Sequence, residues 1–208
     1  IKKLKEFLIG FLITAALCIG VQLLDSLLNS SNWILNEKSD SNLILKMFWW
    51  DFKSVLTEEL VFRGAILFIL IKKSGSKKGI LISAIAFGVY HWFSFGVFGN
   101  IIPMFFVFVG TGLMGYAWAL AFAKTNSIFM PVGLHLGWNF MFNTFFSKGP
   151  LGSGVLIAKN AKFINNWFSL VGLWLVPIIV FLIINYLVST ENKTRTGPNV
   201  ALNKSSSE

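Results

Sequence analysis

The sequence has 208 residues, 55% of them hydrophobic and 13% charged, with 22 Phe, 8 Trp and a formal net charge of +9. So many aromatics exclude a disordered chain, and recurrent apolar runs of about 20 residues argue against a soluble domain, in which about a quarter of residues are charged. The single Cys18 excludes a disulfide framework and a cysteine-based zinc cluster, and no basic stripe with interleaved aromatics supports nucleic-acid binding.

In chain order the apolar runs predict an all-α, polytopic transmembrane bundle of six spans: Phe7–Leu28, Met47–Ile71, Gly79–Phe98, Ile102–Ala123, Ser127–Phe146 and Trp167–Val188. Each is long enough to cross about 30 Å of hydrocarbon at 1.5 Å per residue. The first follows Lys2, Lys3 and Lys5, as a signal peptide would, but its apolar core is too long and no small-residue cleavage site follows. The membrane domain is expected over 1–188 with its functional core at about 47–146, and the polar 189–208 is expected to be a disordered tail.

Basic residues set the orientation. A cytoplasmic N-terminus places Lys2, Lys3, Lys5, Lys72, Lys73, Lys77, Lys78, Lys124, Lys193, Arg195 and Lys204 inside. It leaves only Lys38, Lys46, Lys148, Lys159 and Lys162 outside. That bias predicts a multi-pass cell-membrane protein with both termini in the cytoplasm and the lipid bilayer as its surroundings. Pro103 falls in the first turn of the fourth span, where a missing N–H costs little, whereas Pro131 and Pro177 fall inside spans and are expected to kink them.

The informative residues are those a bilayer disfavours. Glu58, Glu59 and Arg63 lie in the second span, where each ionisable group costs on the order of 2.5–3.5 kcal/mol on insertion scales. Glu59 and Arg63 are four apart and can pair on one helix face, while Glu58 is rotated about 100° from Glu59 and points elsewhere. The only histidines, His91 and His135, also lie in spans, with Phe87 one turn before the first and Asn139 one turn after the second. Gly133 and Gly137 lie on roughly the opposite face from His135 and Asn139 and admit a close helix neighbour. A shielded carboxylate can act as a general base towards water, and His and Asn can donate to a developing oxyanion. The same residue types serve proton or ion pathways, and the Glu59–Arg63 pair alone reads as a structural brace. Spacing leaves enzyme and transporter both open.

The segment Thr57-Glu58-Glu59-Leu60-Val61-Phe62-Arg63-Gly64 resembles the EExxxR motif of the CPBP family of intramembrane proteases. That family includes the type II CAAX prenyl proteases and the bacteriocin-immunity proteins. Phe87-Gly88-Val89-Tyr90-His91 is similar to its FxxxH motif, and His135-Leu136-Gly137-Trp138-Asn139 to its HxxxN motif. The resemblance covers roughly Val55 to Asn143, with the motifs in the family order on three separate spans. It implies an intramembrane endopeptidase in which Glu58 activates the attacking water and His91 assists. His135 and Asn139 would form the oxyanion hole, while Glu59, Arg63 and Phe87 support the helix and the histidine beside them. It also implies either a metal-independent, glutamate-dependent mechanism, the one preferred here, or a Zn²⁺ site made by Glu58, His91 and His135.

The expected substrate is a membrane-associated protein or peptide. The Asn/Lys/Ile-rich composition suggests a bacterium, where prenylated CAAX substrates are not expected and bacteriocin self-immunity is one role the family offers. The alternatives are a non-catalytic membrane binding or immunity protein that retains the fold, and a proton-coupled transporter, for which no inverted repeat is visible.

Overall fold

The structure, a computed structural model, describes residues 1–146, 148–149, 151–159 and 174–187. The predicted tail 189–208 lies outside the described residues, as do residues 167–173 and 188 of the last predicted span. Helix α1 (Lys2–Leu28) is followed by strand β1 (Asn32–Leu35) and helix α2 (Ser41–Glu59), which starts where the Asp40 carboxylate accepts the Leu43 N–H at 2.7 Å. A π-helical run, Leu60–Leu67, continues α2 directly into α3 (Phe68–Ser94). Helix α4 (Ile101–Thr125) and helix α5 (Phe129–Phe140) follow, and α5 continues as a second π-helical run, Met141–Phe146. Strands β2 (Lys148–Gly149), β3 (Gly152–Ser153) and β4 (Leu156–Lys159) precede a last helix, α6 (Trp174–Leu187).

The predicted spans are helical over most of their described residues, except that the third ends its helix at Ser94 rather than Phe98 and the fifth begins its helix at Phe129 rather than Ser127. Two helices, α1 and α4, are long and apolar enough to cross a membrane by length and composition. The second and third predicted spans form one hairpin rather than two separately capped helices. Gly75 turns it with φ 79 and ψ 164, a left-handed conformation that a side chain would oppose. The strands depart from the all-α expectation. β1 pairs antiparallel with β4, Trp33 opposite Ala158, and β2 pairs with β3. Such short apolar stretches in connecting segments satisfy their backbone groups by pairing with each other. Pro131 is a second correction. It does not kink a span, because α5 begins only at Phe129 and the proline occupies the first turn, where its missing N–H breaks no intrahelical bond.

Helix α5 is held between two different neighbours. Its Gly133 and Gly137 lie against the backbone carbonyls of Phe7 and Phe11 on α1, and the Thr14 hydroxyl donates to the Leu134 carbonyl at 2.6 Å. Residue 7 beside 133 and residue 11 beside 137 make the two helices run in parallel. Leucine at Gly137 would push its Cβ into the Phe11 carbonyl and the Thr14 hydroxyl, neither of which can retreat. Gly137→Leu is therefore expected to lower the Tm of the detergent-solubilised protein by about 5 °C or more. Gly20→Leu on the same α1 helix, where nothing lies within 4 Å of an added Cβ, serves as the control and should leave the Tm unchanged.

The main core joins Phe62, Phe87, Trp118, Leu134, Val180 and Ile184, so α3, α4, α5 and α6 meet around it. Outward lie Leu8, Leu12, Leu23, Ile82, Ile85 and Phe105, all exposed, while Glu59 and Arg63 are wholly buried.

Candidate active site

The buried charges are the foundation of the site. Glu59 ends α2 and Arg63 sits in the π-helical run that follows, a wide helical turn of the kind often found at functional sites. Arg63 Nη1 donates to Glu59 Oε1 at 3.0 Å, and Nη2 donates to the Gly115 carbonyl of α4 at 3.1 Å. The guanidinium also lies 4.3 Å from the centre of the Phe87 ring, so a carboxylate, a carbonyl and an aromatic face share its charge. An added Cβ at Gly115 would lie 2.8 Å from the Phe87 ring and 3.3 Å from Arg63 Nη2, which explains why that contact needs glycine.

Glu59 has a second partner that the i,i+4 spacing did not announce: His135 Nδ1 lies 2.9 Å from the same Oε1. With Glu59 ionised against Arg63, this nitrogen is the donor. The imidazole is further fixed by Trp118, which stacks on it with centroids 4.0 Å apart and planes 20° apart. His91 is oriented in the same way from the other side. Its Nδ1 lies 2.8 Å from the Phe87 carbonyl, an oxygen that can only accept, so Nδ1 carries the hydrogen. Both histidines thus turn an Nε2 lone pair inwards.

The two lone pairs converge on Glu58. Its Oε2 lies 3.9 Å from His91 Nε2 and 4.0 Å from His135 Nε2, and accepts no hydrogen bond among the described residues. Its Oε1 accepts from the Ser54 hydroxyl at 3.3 Å. Glu58 therefore points away from the Glu59–Arg63 pair, as the 100° rotation requires. Three atoms that each want a donor surround one small volume, at separations a single water bridges.

Glu58, His91, His135, Asn139 and Phe87 all line one cavity of about 530 Å³, while Glu59 and Arg63 stand behind its wall. Asn139 is half-buried and its amide hydrogen-bonds to no other described residue. The cavity also exposes residues the sequence reading passed over: Asp51 and Ser54 on α2, Trp118 on α4 and Asn143 in the second π-helical run. A signal for Asp51 existed. It is a carboxylate inside a predicted span, seven residues, or two helical turns, before Glu58.

Glu58, His91 and His135 are the donor types of a His₂Glu zinc site, with hydrogen-bonded imidazoles of the usual kind. Zinc bonds of about 2.0–2.1 Å would place tetrahedral ligand atoms roughly 3.3 Å apart, closer than the observed 3.9 and 4.0 Å. Among the described residues no group of three or more His, Cys, Asp or Glu is arranged to hold a metal ion. The side chains as placed do not fit one.

Neither a curated protein nor a solved structure matches the chain. Residues 40–141 match the family model described as type II CAAX prenyl endopeptidase Rce1-like. That segment contains all three motifs and every residue of the Glu58, His91, His135 and Asn139 cluster. Residues 40–141 are thus an Rce1-like domain, which supports a place for the chain among the CAAX-type endopeptidases.

Proposed function

We propose that the chain is an intramembrane endopeptidase that hydrolyses a peptide bond of a membrane-associated protein or peptide by glutamate-activated water, without a metal. The observation that carries this reading is the free Glu58 Oε2 held between two inward-facing imidazole nitrogens in a cavity. A water there donates one hydrogen to Glu58 and the other to His91 Nε2, which leaves an oxygen lone pair for attack on the substrate carbonyl. As the C–O bond forms, the water proton passes to Glu58, which later delivers it to the departing nitrogen as the C–N bond breaks.

The oxyanion needs donors, and the tautomer refines how they act. Asn139 offers its amide N–H as a neutral donor. His135 already commits Nδ1–H to Glu59, so its Nε2 is an acceptor in the neutral ring and becomes an oxyanion donor only once it takes a second proton. Glu59 and Arg63 act by holding His135, and Phe87 by holding His91 through its carbonyl and Arg63 through its ring.

The expected setting is a six-span, multi-pass protein of a bacterial cell membrane with both termini in the cytoplasm. Exposed leucine, isoleucine and phenylalanine around a polar interior support it, as does the pairing of β1 with β4, which joins two connections expected on the same side. Bacteriocin self-immunity, or processing of membrane peptides, is the role proposed with it. Asn139→Ala tests the oxyanion assignment: kcat on a cleaved membrane peptide is expected to fall about 10²–10³-fold with KM little changed. A variant that keeps its kcat would remove Asn139 from the mechanism.

A further inference from the structure

The cavity extends well beyond the Glu58 cluster, and its far end holds a second polar pair that the hydrolytic chemistry does not use. Asp51 is 2% exposed, yet it lines the cavity. Its Oδ1 accepts from Asn143 Nδ2 at 2.8 Å, while its Oδ2 is buried with no hydrogen-bond partner among the described residues. No described lysine or arginine forms an ion pair with it. A buried carboxylate with one oxygen left unsatisfied is unfavourable unless a ligand completes it.

Asn143 contributes in the same sense. Its amide nitrogen is turned to Asp51, and its carbonyl oxygen makes no hydrogen bond within the described residues. The pair therefore offers acceptors and a negative charge, the complement of a group with several N–H donors and a positive charge. Asp51 and Glu58 lie on one face of α2, with Ser54 between them. Seven residues at 1.5 Å separate them by about 10 Å, which an extended peptide covers in about three residues. On the facing helix, which runs antiparallel to α2, Asn143 follows Asn139 by one helical turn, so it lies on the same face further along the cavity.

We propose that Asp51 and Asn143 form a substrate subsite that takes a lysine or arginine side chain about three residues from the cleaved bond. This rests on the endopeptidase reading for its register, but the binding itself can be measured without cleavage. The full-length Glu58→Gln protein in lipid nanodiscs is titrated with fluorescent apolar peptides in which one lysine, arginine, norleucine or glutamate is walked along the sequence.

At one position lysine and arginine are expected to bind about tenfold or more tighter than norleucine, and glutamate correspondingly weaker. Asp51→Asn in the same protein should bring the lysine-to-norleucine ratio within about twofold while norleucine peptides still bind, and Asp51→Glu should restore part of it. The comparison of peptides on the Asp51 protein stands even where a variant does not fold. No charge preference at any position, or one that survives Asp51→Asn, would overturn the subsite. Cleavage of the same peptides by the unsubstituted chain separates the two readings. Cleavage without charge preference overturns the subsite alone, and charge-selective binding without cleavage overturns the endopeptidase reading alone.

Discussion

Glu58→Gln is expected to lower peptide cleavage by about 10³-fold or more while leaving the fold intact. The change removes the carboxylate assigned to take the proton from water at the centre of the site. It removes little else. Glu58 Oε2 makes no hydrogen bond to lose among the described residues, and the amide oxygen of glutamine can still accept from Ser54. A Tm within a few degrees of the parent, measured in detergent beside the cleavage rate, is the outcome that separates chemistry from folding. A folded Glu58→Gln protein that retained a tenth of the activity would exclude Glu58 as the base.

Arg63→Met should give the largest loss of stability, about 3–5 kcal/mol, because one partner of a wholly buried pair is removed and the other stays behind. Glu59 keeps only His135, the Gly115 carbonyl loses its donor, and Phe87 loses the cation over its ring. Tm should fall by roughly 10 °C. The double substitution Glu59→Gln with Arg63→Met removes both charges at similar volume and should recover part of that loss, without recovering activity, since His135 would still lack its carboxylate. Equal Tm values for the single and double variants would show that the pair does not carry the coupling assigned to it.

Much of the site was legible in the sequence because a bilayer makes charge rare. Glu58, Glu59, Arg63, His91 and His135 stand out against apolar spans, and helix geometry alone separated Glu58 from the Glu59–Arg63 pair. The Gly133 and Gly137 face likewise identified a tight packing surface, although not that α1 would be the helix to occupy it. What stayed hidden depends on contacts between distant segments. The hydrogen bond from His135 to Glu59 crosses from α5 to α2, and it commits Nδ1 so that Nε2 is the nitrogen turned to the cavity.

Trp118 and Gly115 on α4 are apolar or small, so nothing in their chemistry distinguished them from span residues. Asp51 and Asn143 were passed over although each is polar inside a predicted span. Neither belongs to one of the three motifs, and only the hydrogen bond between their helices brings them together. The π-helical runs after Glu59 and Phe140, and the β1–β4 pairing, are tertiary outcomes without a clear local signature. Pro131 was misplaced because hydropathy set the start of its span at Ser127, two residues before α5 begins at Phe129.

The most direct test compares new protein N-termini in membranes containing the unsubstituted chain with those containing Glu58→Gln at equal abundance. The account predicts a set of termini found only with the unsubstituted chain, each within or beside an apolar segment of a membrane-associated protein or peptide. Indistinguishable sets, together with a biological phenotype that persists in both membranes, would contradict it and identify the chain as a binding protein built on an endopeptidase fold.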